Sequence, residues 1–126
     1  MKNKYLLSLL WVIVSGFGIL MAQEIAIIPQ PAHLIVKNES FKFGKQLKVC
    51  IASYRGDSVT LVFDSFKDDF QKATGIKVTS VRSEAKAGIV LSVNQTLAPE
   101  AYKLDVSPKQ IRIEAARPAG FYYALH

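Results

Sequence analysis

The stretch that decides the fold is LAPEAYKLDVSPKQIRIEAARPAGFYYALH, residues 97–126. Apolar side chains alternate with polar ones over Tyr102–Val106, and the alternation resumes over Ile111–Ala115. A period of two places one row of side chains on a core and the other in solvent, so both segments are predicted to be strands. Between them, Ser107-Pro108-Lys109-Gln110 has a proline where its ring presets φ for a tight turn. The stretch therefore predicts a β-hairpin.

The residues after the hairpin are typical of the beginning of a helix. Pro118 ends the second strand, and residues 119–126 follow it. So short a helix is marginal alone, because the cost of nucleation is recovered only over about a dozen or more residues. Residues 119–126 are therefore predicted to be frayed or loosely docked, with Phe121 and Tyr122 partly exposed.

An amphipathic helix is predicted from about residue 58 to residue 74. Asp57 or Ser58 is predicted to cap its first turn, and Gly75 is predicted to end its last turn. The apolar residues recur at spacings of three and four, and they are Val59, Val62, Phe63, Phe66, Phe70 and Ala73.

Several other segments have the apolar pattern of short strands. They are residues 25–28, 33–37, 41–43, 49–51 and 76–78, together with Ile89–Val93. The polar residues 82–86 are predicted to form a loop. The whole chain is therefore predicted to be an α+β domain, a mostly antiparallel sheet with one long amphipathic helix and a C-terminal helix start packed on it.

Residues 1–22 have the pattern of a secretory signal peptide. Lys2 and Lys4 precede an apolar run over residues 5–21, and the small residue Ala22 follows it. We expect a mature chain that begins near Gln23, is secreted or periplasmic, and has no stable membrane span after cleavage. The alternative is a single membrane anchor, since the run approaches the roughly 20 apolar residues that span a bilayer. The glycines within the run and the Ala22 exit favour cleavage.

Length and cysteine content limit the possible functions. Residues 23–126 suffice for one domain, whereas an eight-stranded α/β barrel needs on the order of 200 to 250 residues. The single cysteine, Cys50, allows no intrachain disulfide and no cysteine-based metal site. It is predicted to be a small buried side chain in a strand.

The sequence offers no convincing catalytic or ligand-binding group. Asp64, Asp68 and Asp69 could be taken for a general acid and base, but they lie off the apolar stripe of the predicted helix and are expected to be solvated. His33 and His126, the two histidines, do not make a metal site. No serine has a suitable base, no glycine-rich loop would bind phosphate, and no basic and aromatic cluster indicates nucleic acid. We therefore predict no catalytic, cofactor-binding or metal-binding residue in this chain.

The order of the motifs resembles the N-terminal, non-catalytic domain of glycoside hydrolase family 20, the β-N-acetylhexosaminidases. The matching residues are Ile27-Ile28-Pro29-Gln30-Pro31 near the beginning, the "Y-x-L-x-V" and "I-x-I-x-A" strands of the hairpin, and Ala119-Gly120 with Tyr122-Tyr123-Ala124-Leu125. Lys109-Gln110 stands where the family often has glycine, and His126 stands where it usually has glutamine. The resemblance spans nearly all of residues 23–126.

This resemblance implies an accessory domain or fragment of a secreted enzyme that removes terminal N-acetylhexosamine residues from glycans. In the family, an aspartate-glutamate pair in a catalytic barrel performs substrate-assisted retaining hydrolysis. This chain contains no Asp-Glu dipeptide, so it is predicted to be inactive alone and to need no cofactor. Its expected partner is a catalytic barrel on the same or an adjacent polypeptide, and it would meet glycans only through that barrel.

Two alternatives remain at the level of the sequence. One is the N-terminal domain of a family 84 N-acetylglucosaminidase, whose members share the tyrosine-rich helix. The other is a free-standing carbohydrate-binding or interaction module, which an exposed row of aromatic residues would favour.

Overall fold

The structure, a computed structural model, describes residues 32–52 and 56–126. The predicted signal peptide and the strand predicted at residues 25–28 lie outside the described residues. The chain divides into two compact units, Met1–Val36 and Lys37–His126. In the first unit, the described residues 32–36 are exposed and form no strand, so the extended piece predicted at residues 33–37 is not part of the sheet.

Over its described residues, the second unit contains a sheet and two α-helices. Its elements are β1 (Gln46–Ala52), α1 (Asp57–Thr74), β2 (Lys77–Ser80), a 3₁₀ turn (Glu84–Lys86), β3 (Ile89–Val93), β4 (Tyr102–Val106), β5 (Ile111–Ala115) and α2 (Pro118–Leu125). The predicted α+β class is confirmed. Over the described residues, no helix combines the length and the apolar character needed to cross a membrane.

The five strands form one mixed sheet in the order β2-β1-β3-β5-β4. The predicted hairpin is confirmed, because β4 pairs with β5 in antiparallel fashion, with Tyr102 opposite Ala115 and Val106 opposite Ile111. The other pairings, β1 with β2, β1 with β3 and β3 with β5, are all parallel. The prediction of a mostly antiparallel sheet is therefore wrong.

The connections between the strands explain this parallel arrangement. Parallel neighbours need a crossover long enough to return the chain to the starting edge of the sheet, and α1 supplies that length between β1 and β2. The segment with the 3₁₀ turn then brings β3 to the other side of β1. The hairpin places β4 at the edge, so β5 is free to pair with β3.

Helix α1 is the element that the sequence located best. It begins at Asp57 and ends at Thr74, within one residue of the prediction. Gly75 adopts φ 72°, and its N–H donates to the Gln71 carbonyl at 2.9 Å, as expected for a glycine that ends a helix. The predicted side-chain cap is wrong, since Gly56 is the N-cap residue and no side chain bonds to the first turn.

The main core lies between the two helices and one face of the sheet. The central parallel strands supply Val49 and Leu91, which are almost fully buried, and α1 supplies Val59, Phe63 and Phe66. The helix therefore buries the stripe predicted from its spacing.

The opposite face of the sheet has a smaller apolar cluster. Cys50, Ala87 and Val90 are buried there, beside the segment that contains the 3₁₀ turn. All three side chains are small, which fits the thin cover that a single turn provides. Burial, assisted by the nearby Glu84 carboxylate, raises the pKa of the Cys50 thiol above its ordinary value.

Because the thiolate is the reactive form and Cys50 is both buried and held as the thiol, we expect Cys50 to be inert in the folded protein. A disulfide-exchange reagent at pH 8 should label it at least about a thousandfold more slowly than in denaturant, if the domain is stable by about 5 kcal/mol. The raised pKa also means that stability falls as the pH rises above the ordinary thiol pKa, because the unfolded chain then loses a proton that the folded chain keeps. Prompt labelling of the native chain would contradict this prediction, and Cys50→Ala provides the unlabelled control.

The aromatic pair Phe41 and Phe43 is not in a strand, so the strand predicted at residues 41–43 is wrong. Instead, the two rings contact each other with centroids 5.1 Å apart, and Phe43 contacts Phe70 of α1 at 5.3 Å. Phe41 packs against the main core. The alternation of Phe41 and Phe43 therefore reflects packing beside α1. A period of two in the sequence does not distinguish such packing from pairing in a sheet.

The hairpin turn contains no glycine and is held by side-chain hydrogen bonds. The Ser107 N–H donates to the Gln110 carbonyl at 3.0 Å, and the Ser107 hydroxyl donates to the same oxygen at 2.7 Å. The side-chain amide nitrogen of Gln110 donates to the backbone carbonyl oxygens of Glu84 and Ala87, at 2.8 and 3.0 Å. Gln110 thus ties the hairpin to the segment that covers Cys50.

Candidate functional site

The candidate site is helix α2 and the surface that it presents. Arg117 precedes the helix in an extended conformation, and Pro118 occupies the first turn. Proline is favourable there because the first N–H groups of a helix have no partner within it. Pro118 therefore marks both the predicted end of the strand and the beginning of the helix.

Gly120 allows α2 to lie directly against the sheet. A methyl group at this position would lie 2.5 Å from the Ala101 carbonyl oxygen and 2.9 Å from the Ala115 β-carbon. Both distances are shorter than carbon atoms tolerate, and one neighbour is backbone, which cannot rotate away. The glycine is thus required by close approach, since positive φ in the described residues is confined to Gly75.

Phe121 anchors the helix in the core. Its side chain is 1 % exposed, and it belongs to the same cluster as Ile113 and Ala115 of β5. The prediction that Phe121 would be partly exposed is therefore wrong. The helix is formed through Leu125, and the His126 N–H donates to the Tyr122 carbonyl at 3.1 Å. Fraying in solution stays a prediction.

The outer side of α2 carries three aromatic side chains, Tyr122, Tyr123 and His126, which we call the aromatic cluster. Tyr122 and Tyr123 are 47 % and 51 % exposed, so the predicted exposure of Tyr122 is confirmed. The Tyr122 ring stacks on the His126 ring with centroids 4.4 Å apart, and it meets Tyr123 edge-on at 5.8 Å. These contacts leave apolar ring surface facing solvent.

His126 also connects the two helices. Its Nε2 atom lies 3.8 Å from the Asp69 Oδ2 atom on α1, which is an ion pair only when the imidazole is protonated. Asp64 and Asp68 are exposed on the same helix, as predicted for a solvated face. His33, in the first unit, is exposed as well.

Within residues 32–52 and 56–126, no group of three or more His, Cys, Asp or Glu side chains could hold a metal ion. What α2 offers is packing, with a buried anchor on one side and exposed aromatic rings on the other. Sequence reasoning missed the anchor, although the small-residue pair Ala119-Gly120 ahead of Phe121 was a usable signal of close packing.

Comparison with known proteins gives a consistent result. The family model "Glycosyl hydrolase family 20, domain 2" matches residues 24–126. A similar solved structure is a family 20 exo-β-N-acetylglucosaminidase from Vibrio harveyi in complex with N-acetylglucosamine, with a TM-score of 0.65 and 32% identity over 75% of this chain. No curated protein matches this chain.

Two further solved structures share the fold at lower identity. A Flavobacterium johnsoniae chitobiase has a TM-score of 0.65 and 23% identity over 79% of this chain. A Streptomyces plicatus N-acetyl-β-hexosaminidase in complex with Thio-NAglucal has a TM-score of 0.66 and 24% identity, also over 79%. This chain spans 14% of the Vibrio harveyi protein, 17% of the Flavobacterium protein and 19% of the Streptomyces protein.

Proposed function

Because this chain belongs to glycosyl hydrolase family 20, domain 2, we propose that it serves as the N-terminal accessory domain of a secreted β-N-acetylhexosaminidase. The family match over residues 24–126 carries this proposal. It favours family 20 over the family 84 alternative. The complete enzyme would remove terminal N-acetylhexosamine residues from glycans.

The catalytic steps belong to a barrel outside this chain. In substrate-assisted retaining hydrolysis, the 2-acetamido group of the substrate attacks the anomeric carbon while an acid protonates the leaving oxygen. No residue of this chain takes either role in the proposal. Two observations support this assignment: the chain spans less than a fifth of its structural relatives, and the acidic side chains Asp64 and Asp68 are exposed on α1.

The role of this domain would be to position the barrel, with α2 as the contact. The outer side of α2 carries Tyr122 and Tyr123, each about half-exposed, while Phe121 fixes the helix to the sheet. Covering the exposed half of a large aromatic side chain contributes about 1 kcal/mol. The aromatic cluster is therefore a modest contact surface on a helix that Phe121 joins to the core.

Export would follow from residues 1–22. We propose cleavage after Ala22, so that the mature domain begins at Gln23 outside the cytoplasm. The mass of the exported protein tests this step, and retention of the apolar segment would favour the membrane-anchor alternative.

The expected behaviour of the purified chain is that it does not hydrolyse a chromogenic N-acetylglucosaminide, since it contributes no acid and no orienting carboxylate. A chimera in which residues 24–126 replace the corresponding domain of the Vibrio harveyi enzyme should hydrolyse this substrate. Turnover by the isolated chain that survives repurification and is abolished by a point substitution within it would overturn the proposal.

The chimera also tests the aromatic cluster. Replacing Tyr122 and Tyr123 together by serine should weaken the contact with the barrel and lower the thermal stability of the chimera more than that of the isolated domain. Phe43→Ser is the control, because Phe43 is similarly exposed at 46 % and its ring contacts Phe41 and, on α1, Phe70. A docking role for α2 would be contradicted if the double tyrosine variant lost as much thermal stability in the isolated domain as in the chimera, as Phe43→Ser is expected to do.

A further inference from the structure

The segment between β2 and β3 forms a strap on the face of the sheet opposite the helices. The strap is residues 82–87, and it contains the 3₁₀ turn. Its residues 82–86 are exposed, whereas Ala87 is buried against Cys50 and Val90. Because the methyl group of one alanine buries little apolar surface, hydrophobic packing contributes little to holding the strap closed.

Backbone hydrogen bonds hold the two ends of the strap. At one end, the Val81 N–H donates to the Val49 carbonyl at 2.8 Å. At the other end, the Gly88 N–H donates to the Lys48 carbonyl, also at 2.8 Å. These bonds fix both ends to β1, so they can act as hinges for the residues between them.

The middle of the strap is held by a side chain from the hairpin turn. Gln110 Nε2 donates to the two strap carbonyl oxygens, those of Glu84 and Ala87. The Arg112 guanidinium donates to Gln110 Oε1 at 3.3 Å. Since arginine can only donate, this contact keeps the amide oxygen away from the strap and the amide nitrogen towards it. Both donors of the Gln110 amide are thereby used on the strap.

The remaining link to the middle of the strap is an ion pair. The Arg112 guanidinium lies 3.1 Å from the Glu84 carboxylate, and the two side chains are 40 % and 46 % exposed. Ion pairs this exposed contribute little to stability, because water screens them. Gln110 is therefore the principal connection between the hairpin and the strap.

We propose that the strap opens independently of the rest of the domain and that Gln110 is the latch that keeps it closed. Opening breaks the two amide bonds and lifts Ala87 from Cys50, while the hinges, the sheet and the helices stay in place. Such a local opening costs less than global unfolding, because it exposes little buried surface. The strap thus controls access to the outer face of the sheet.

The Cys50 thiol provides a chemical signal of this opening. In the closed form, burial and the Glu84 carboxylate keep the pKa of the thiol above its ordinary value. Both causes weaken when the strap lifts, so the open form exposes the thiol and also lets it ionise more readily. Because the thiolate is the species that attacks a disulfide reagent, the rate at which Cys50 is labelled reports the open fraction.

Independent opening is tested by labelling the purified wild-type chain with the disulfide-exchange reagent at pH 8 over a series of urea concentrations. The effect of urea on an equilibrium scales with the surface that it exposes. The labelling rate should therefore change little at low urea and rise steeply only close to the global transition. A rate that follows global unfolding with its full urea dependence from zero urea upwards would overturn the proposal.

The latch is tested with Gln110→Ala, which removes both amide bonds and leaves the backbone of the turn in place. Without urea, this variant should label Cys50 at least about fivefold faster than wild type, as expected for the loss of two ordinary hydrogen bonds. Gln110→Glu, which keeps the size of the side chain but replaces the donors with a carboxylate, should also accelerate labelling. Lys109→Ala changes the neighbouring residue of the same turn and is the control, expected within about twofold of wild type.

Two results would show that Gln110 is not the latch. One is a pair of Gln110 variants that are folded by circular dichroism and label Cys50 as slowly as wild type. The other is a Lys109→Ala variant that accelerates labelling as much as Gln110→Ala does. Both are measured on the thiol and not on hexosaminidase activity, so they leave the proposed accessory role untouched.

Discussion

Replacing Phe121 with alanine is expected to destabilise the domain by about 3 to 5 kcal/mol, the range for removing a large buried aromatic side chain. Phe121 is the largest side chain among the fully buried residues, and it is 1 % exposed. Its loss leaves a cavity between α2 and β5 that backbone movement can fill only in part. It also removes the anchor of an eight-residue helix, and so short a helix depends on tertiary packing.

Urea unfolding followed by circular dichroism measures this effect as a shift of the transition midpoint. Tyr122→Ala is the control, since Tyr122 is the next residue of the same helix and is about half-exposed. It should cost less than about 1 kcal/mol, in the range of surface changes. Similar losses for the two variants would show that Phe121 is not the anchor of α2.

Gly120→Ala is expected to destabilise the domain by about 1 to 3 kcal/mol, the usual cost of overpacking. Helix propensity alone predicts the opposite, because alanine favours a helix over glycine by about 1 kcal/mol. The steric term decides the sign here, since the new methyl group would lie 2.5 Å from the Ala101 carbonyl oxygen. Either α2 or the start of β4 has to move outwards.

The matched control for this substitution is Gly44→Ala. A methyl group there would have one neighbour within 4 Å, the Gln46 carbonyl oxygen at 4.0 Å, so stability should stay within about 0.5 kcal/mol of wild type. Hydrogen exchange of the α2 amides should accelerate in Gly120→Ala and stay unchanged in Gly44→Ala. A stabilised Gly120→Ala protein would mean that α2 is not pressed against Ala101 and Ala115.

These two residues show how far the sequence predicts the candidate site. The Ala119-Gly120 pair and the tyrosines supported the family resemblance, and the exposure of Tyr122 was predicted correctly. The sequence does not predict the burial of Phe121, because an isolated short helix offers no surface that would cover this side chain. The stability of α2 comes from contacts with β5 and with residues near Ala101, which no local pattern records.

The mixed sheet is the larger difference between prediction and structure. The runs Val49-Cys50-Ile51 and Ile89-Val90-Leu91 are apolar without alternation, which is typical of parallel strands covered on both faces. The prediction of a mostly antiparallel sheet follows instead from the clear alternation of the hairpin, which describes only the β4–β5 pair. In the structure, Cys50 and Val90 are buried on one face, while Val49 and Leu91 are buried on the other.

By itself, the sequence determined helix α1, the β4–β5 hairpin, the α+β class and the family, because each depends on residues that are close together in the chain. Turn chemistry, a period of two, a period of three to four and short motifs are all local features. Only the tertiary structure decided the strand order, the parallel pairings, the close approach at Gly120 and the bonds from Gln110 to Glu84 and Ala87. These join residues that are distant along the chain, and their geometry exists only when the sheet has formed and both of its faces are covered.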